Sequence, residues 1–201
     1  MDISTLQDLL RERTSCRSYV AGEAIPAAAI TAIIAAGQQA PNPLNQQPWS
    51  FIVIDNAAIK KKLRQAGENA KQIVLEKGGP EWVGGFNIDF MEDAPLVIAV
   101  LVDPQKGGIG HYFNQPAGSI QAGSACIQNM LLAAAALNLG TLWFTFFNPD
   151  DVRDILQIPA NLEIAGLVYI GTINGTPGRS KRHKPIIYDN QFGIQAQEAD
   201  D

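Results

Sequence analysis

The chain has 201 residues, 46% of them hydrophobic and 17% charged, with 15 basic against 20 acidic side chains and a formal net charge of −5. That length supports one domain with a sizeable core, and the balance argues against a dedicated nucleic-acid binder, which needs a basic face or stripe, while allowing a local basic pocket for a phosphate. Two distant cysteines, Cys16 and Cys126, and two histidines, His111 and His183, give no metal-ligand or redox spacing. They read as small packed thiols and surface imidazoles. The opening Met1-Asp2-Ile3-Ser4 has no basic-then-apolar leader pattern. The most apolar stretch, Ile120 to Leu139, is interrupted by Gln121, Gln128, Asn129 and Asn138, so it reads as a buried helix rather than a membrane span. A cytoplasmic protein is expected, and so few charges suggest that some apolar surface is covered in an oligomer.

Helix and strand signals alternate along the chain. A first helix runs from Ser4 to about Arg13, with capping-box spacing between Ser4 and Gln7. Pro26 to Gly37 is a second, with proline at its opening and Ile30, Ile33 and Ile34 at helical spacing. Trp49 to Ile54 is a short β-branched and aromatic strand. Ala57 to about Glu76 forms one or two helices, with Lys60, Lys61, Lys62 and Arg64 on solvent faces. Gly78 to Asp93 interleaves Gly78, Gly79, Pro80, Gly84 and Gly85 with Trp82, Phe86, Phe90 and Met91. Such a segment suits a mobile lid and equally a loop tucked on the core.

Pro95 to Val102 is continuously apolar, so it reads as a strand covered on both faces. Asp103 to Gln115 is a glycine-rich connection. Gly118 to Leu139 is a long central helix, stopped by Gly140. Thr141 to Phe147 is a strand. Asn148 caps a further helix that has Pro149 at its opening and Asp150 and Asp151 near its positive end. Glu163 to Ile173 is the last core strand. Gly175 to Lys184 is a basic loop, Pro185 to Ile194 has strand character, and Gln195 to Asp201 is an acidic tail expected to be disordered. The alternation implies an α+β, or mixed α/β, layer.

Three segments concentrate chemistry. In Arg13-Thr14-Ser15-Cys16-Arg17-Ser18-Tyr19, positions 13, 15 and 17 share one side if the backbone is extended. Two guanidinium forks and a hydroxyl can then converge on one phosphate; on its own the segment reads more readily as an ordinary solvated basic turn. Ala40-Pro41-Asn42-Pro43-Leu44-Asn45-Gln46-Gln47-Pro48-Trp49 carries three prolines and several amides without formal charge. It is stiff and suited to a planar, hydrogen-bonding ligand. Arg179-Ser180-Lys181-Arg182-His183-Lys184-Pro185 is a basic run that on its own reads as solvated surface.

Together these segments resemble the nitroreductase family of flavoproteins. Its signature loop reads roughly (A/S)-P-S-x-x-N-x-Q-P-W. It is matched by Ala40, Pro41, Asn45, Gln47, Pro48 and Trp49, with Asn42 in the serine place. Its R-x-S-x-R-x-(F/Y) motif is matched by Arg13 to Tyr19, its L-G-L-G-x-x-W run by Leu139 to Trp143, and its (K/R)-x-(K/R)-x-P segment by Arg182 and Lys184, with Arg179 or Lys181 as alternative registers.

The resemblance implies a nitroreductase-like fold with a central mixed, mostly antiparallel sheet. It also implies a homodimer with FMN at the subunit interface, and about residues 186–194 wrapping the partner. Arg13, Thr14, Ser15, Arg17, Arg182 and Lys184 would serve the FMN phosphate, while Pro41, Asn42, Pro43, Leu44, Asn45 and Gln47 would reach the flavin from the other subunit. Trp143, Phe144, Thr145 and Phe146 would lie by the ring, with the Thr145 backbone near its redox-active nitrogen. Asn69 and Lys71 are weaker carry-overs. The implied activity is ping-pong hydride transfer from NAD(P)H to a nitroaromatic, quinone or related small acceptor, with no separate catalytic side chain and no metal. Dehalogenation, enone or aldehyde reduction, and a non-catalytic FMN-binding role are the alternatives.

Overall fold

The structure is a computed structural model that describes residues 2–194. Its helices are α1 (Ile3–Glu12), α2 (Ala27–Gln38), α3 (Ala57–Glu76), α4 (Phe90–Asp93), α5 (Gly118–Ala136) and α6 (Pro149–Leu156). Its strands are β1 (Trp49–Ile54), β2 (Leu96–Val102), β3 (Leu139–Phe144) and β4 (Glu163–Thr172), in the spatial order β1-β2-β4-β3. Each neighbouring pair of these strands is antiparallel, and a parallel bridge joins Ser15 to Thr141. The acidic segment 195–201 lies outside the described residues.

The sheet is covered on both faces, which is why β2 is apolar at every position although its partners are antiparallel. Val97, Ala99 and Leu101 join Leu63, Phe90, Met91, Phe144 and Tyr169 on one face. Ile98, Val100 and Val102 join Ile33, Cys126, Ile127 and Met130 of α2 and α5 on the other. Close approach is made by glycine. A Cβ on Gly37 would lie 2.8 Å from Met130, and one on Gly123 would lie 2.7 Å from Val102. Thus α2 runs on through Gly37 to Gln38, because that glycine is a packing contact rather than a stop. Among the described residues no helix is long and apolar enough to cross a membrane.

Several local expectations are corrected. The first helix is capped by Asp2 without a side-chain bond to its backbone, and Ser4 Oγ donates to Asp2 Oδ2 at 2.7 Å, so no capping box forms. Lys60 is buried at 8% exposure because its Nζ donates to the carbonyls of Glu92 (3.2 Å) and Ala94 (2.7 Å) at the end of α4. Burial lowers its pKa, and nearby Asp55, Asp93 and Glu92 oppose that. The left-handed residue that reverses the chain after α5 is Asn138 (φ 59°); Gly140 lies within β3, where bare Cα lets Cys16 approach. β3 ends at Phe144 rather than Phe147. In the 185–194 segment Tyr188 is a lone β-bridge residue rather than part of a longer strand, and residues 189–194 form a turn, with the Asp189 N–H donating to the Ile194 carbonyl at 2.7 Å. Gly78–Asp93 is anchored by buried Val83, Ile88, Phe90 and Met91, while Trp82 stands 65% exposed.

A bulge in the β2–β4 pairing falls between Val100 and Leu101, opposite Ala165 and Gly166. There Trp143 Nε1 donates to the Ala165 carbonyl at 3.2 Å, and a Cβ on Gly166 would sit 2.2 Å from that nitrogen. Gly166→Ala should therefore cost about 1–3 kcal/mol through overpacking. A shifted urea midpoint at unchanged slope would show this, and a wild-type midpoint would refute it.

Candidate functional site

The Arg13–Tyr19 segment leaves α1 and is fastened to the far edge of the sheet. Arg13 caps α1, its N–H donating to the Leu9 carbonyl. The Cys16 N–H donates to the Thr141 carbonyl at 2.8 Å, and the Val20 N–H to Thr172 at 2.9 Å. Buried Tyr19 sends its hydroxyl to the carbonyls of Cys16 (3.0 Å) and Tyr169 (3.3 Å). The Asn174 N–H closes the other side by donating to Ser18. Extended backbone alternates its side chains, so Cys16 points into the core at 2% exposure. Burial pushes its thiol pKa up.

The outward residues line a cleft of about 440 Å3 with Leu10, Arg11, Arg13, Thr14, Ser15, Arg17, Gly178, Arg179, Ser180 and Arg182. The structure therefore brings together Arg13, Thr14, Ser15, Arg17 and Arg182 from two distant parts of the chain. It adds Arg11 and Ser180, which the sequence reading passed over, and it includes Arg179, the alternative register. Arg11 also pairs with Asp8 at 2.7 Å. Its signal was visible as a third arginine two positions before Arg13. Lys184 does not line this cleft. No carboxylate does either, among the described residues, so the charged side chains of the lining are all arginines.

The other expected residues lie elsewhere in the same chain. Asn42 braces the amide loop: its Oδ1 accepts from the Gln47 N–H at 2.7 Å, and its Nδ2 donates to the Ala40 carbonyl at 3.3 Å. Leu44 (φ 52°), Asn45 (φ 52°) and Gln47 (φ 46°) are all left-handed, a strained run that leaves Leu44 71% exposed. Gln46 Oε1 accepts from the Gly108 N–H at 3.0 Å, locking the loop to the start of the 107–118 connection. Pro43 and Leu44 line a separate depression with residues 107–110 and 114–118, while Pro41 and Asn45 stay on the surface. Asn69 is on the outer side of α3 in a groove with Asp151 and Asp154 of α6. Lys71 is buried and paired with Glu68 at 3.1 Å.

β3 splits the expected ring contacts. Trp143 faces the α2–α5 side, whereas Phe144 is core on the opposite face, 5.4 Å from Phe90 and 6.0 Å from Tyr169 between ring centres. Just beyond the strand, exposed Thr145 is followed by half-buried Phe146. Phe146 continues an aromatic ladder to Phe86 (6.4 Å) and Trp82 (6.1 Å to Phe86). Arg17 Cζ lies 6.0 Å from the Phe86 ring centre, so the arginine cleft and the ladder adjoin.

The Nitroreductase family model matches residues 10–172. The chain belongs to the nitroreductase family. Among curated proteins, this nitroreductase-family chain is 28% identical over 182 residues to iodotyrosine deiodinase 1 of Sus scrofa, covering 82% of the chain and 60% of that protein. It is 28% identical over 181 residues to iodotyrosine deiodinase of Danio rerio, covering 81% and 58%. The chain thus spans under two thirds of either relative. Among solved structures, it aligns with oxidized iodotyrosine deiodinase bound to FMN and 3-iodo-L-tyrosine at a TM-score of 0.80 and 21% identity, covering 93% of this chain and all of that one. It also aligns with a nitroreductase family protein of Clostridium difficile 630 at a TM-score of 0.68 and 26% identity, covering 86% of each. These likenesses agree with the observed helices and antiparallel sheet.

If the cleft holds an anion, Arg179→Ala and Arg182→Ala should each weaken inorganic phosphate binding about two- to five-fold, as expected of exposed charge pairs. Lys106→Ala, outside the cleft, should change nothing. Calorimetry showing equal losses for all three would dismiss the cleft as a specific site.

Proposed function

We propose that this chain is an FMN-dependent oxidoreductase that takes electrons from NAD(P)H and reduces small electron-poor acceptors, nitroaromatics and quinones among them. One observation carries the reading: five arginines and three hydroxyl side chains surround a cleft that no described carboxylate enters. A phosphate dianion fits that donor set, with Arg13, Ser15 and Arg17 on one wall and Arg179 and Arg182 on the other. When bound, FMN supplies the hydride chemistry. The protein's own part would be to hold the phosphate, to offer the exposed Thr145 backbone and Phe146 to the ring, and to present exposed Trp82, set edge-on to Phe86, as an apolar contact for an acceptor.

We read residues 1–201 as one FMN-binding domain that works as a homodimer. In a single chain the 41–47 loop does not line the phosphate cleft. Leu44, Ile109, Tyr112 and Phe113 are 61–76% exposed on that side, and Ile186, Ile187, Phe192 and Ile194 are 55–88% exposed in the terminal segment. A second copy that receives the 186–194 segment and lends its 41–47 loop would cover both patches. A cytoplasmic location remains our reading for such a chain.

The deiodinase relatives favour a second chemistry at the same site, reductive removal of halogen from a halogenated phenol. The two readings separate by acceptor. With FMN loaded, NADH or NADPH oxidation should accelerate on adding a nitroaromatic or quinone. The dehalogenase reading instead predicts halide release from an iodophenol as the faster reaction. In either case Trp82→Ala should change the ranking of acceptors while leaving FMN retention within about two-fold, because an exposed ring contributes contact rather than fold. An unchanged ranking would remove Trp82 from the acceptor site.

A further inference from the structure

Arg17 does two things at once. It lines the anion cleft, and its guanidinium lies over the ring of Phe86, 6.0 Å from the centre. Phe86 belongs to the Gly78–Asp93 segment, where it meets Trp82 edge-on at 6.1 Å and Phe146 at 6.4 Å. Arg17 has no carboxylate partner in the described ion pairs; those of this region gather instead on Arg64 and Lys71, with Glu68, Asp89 and Glu92. An exposed arginine with no such partner samples many rotamers, and each must be given up when it binds an anion. A ring face restricts that freedom without neutralising the charge, because a cation–π contact leaves the N–H groups at the edge of the guanidinium free to donate.

We infer that Phe86 is a positioning residue: it aims Arg17 into the cleft and thereby couples occupancy of the cleft by a phosphate group to the order of the Gly78–Asp93 segment. The coupling is reciprocal. A phosphate that fixes Arg17 gives Phe86 a fixed cation to lie against, and the segment carrying Trp82 is steadied. Loss of the ring makes the phosphate site less organised. The aromatic face offered to an acceptor is therefore most ordered once a phosphate-bearing ligand is seated. The inference rests on the reading of the cleft as a phosphate site.

The test compares wild type with Phe86→Leu, which keeps apolar bulk but removes the ring, and Phe86→Tyr, which keeps the ring. Phe86→Leu should lower FMN affinity about two- to five-fold, the range of an exposed cation–π contact. Riboflavin, which lacks the phosphate, should bind all three proteins alike, and Phe86→Tyr should restore FMN binding. Separately, saturating inorganic phosphate should slow amide exchange over residues 78–93 in wild type and not in Phe86→Leu. An equal loss for FMN and riboflavin, or exchange that ignores phosphate in wild type, would overturn the coupling. If wild type binds inorganic phosphate but not FMN, the FMN reading fails while the exchange experiment still judges Phe86. If Phe86→Leu fails to fold, the wild-type and Phe86→Tyr phosphate responses decide.

Discussion

The backbone bond from the Cys16 N–H to the Thr141 carbonyl, with the Ser15–Thr141 bridge beside it, is the constraint on which the site depends. A chain leaving a helix would ordinarily wander over the surface. Here it is drawn against the edge strand β3, and alternation does the rest: Cys16 goes inward while Ser15 and Arg17 go outward. Gly140 allows the approach, since a Cβ there would lie 2.9 Å from Cys16 Sγ. Tyr19 then nails the segment down by bonding Cys16 and Tyr169 from a buried position. Arginines spaced by two along a fixed extended backbone present their guanidinium groups on one side, whereas on a loose turn they scatter into solvent.

The same principle explains how an acidic chain holds so basic a cleft. Net charge is −5, yet the described carboxylates stay out of the cleft lining and several pair elsewhere. Glu68, Asp89 and Glu92 gather around Arg64 and Lys71 on α3. Asp8 takes one side of Arg11. Local potential is set by which charges a fold brings together, and the overall balance only decides what the rest of the surface attracts.

Elements with strong periodicity were legible in the sequence. β1, β2, α5 and α6 fall within a few residues of expectation, and the Asn148 cap is formed, its side chain accepting from the Asp150 N–H at 3.2 Å. The motif around Arg13 and Arg17 pointed to the cleft because side-chain alternation is local. What failed depended on tertiary partners. Lys60 looks like any surface lysine until the end of α4 offers it two carbonyls. Gly140 resembles a helix stop, but Asn138 takes the left-handed turn and the glycine is used for packing. The surroundings of Asn69 and Trp143 are likewise set by the fold, which turns them toward α6 and toward the α2–α5 face. The contact of Arg17 with Phe86 joins positions far apart in the chain, and no local pattern announces it.

In the function proposed above, the arginine cleft holds the phosphate of a flavin. The most direct measurement loads the purified protein separately with FMN and with riboflavin, removes the unbound fraction, and records the visible spectrum. About one FMN should be retained per chain and far less riboflavin, because the phosphate is the handle. Equal retention of the two, or retention of neither, would contradict it.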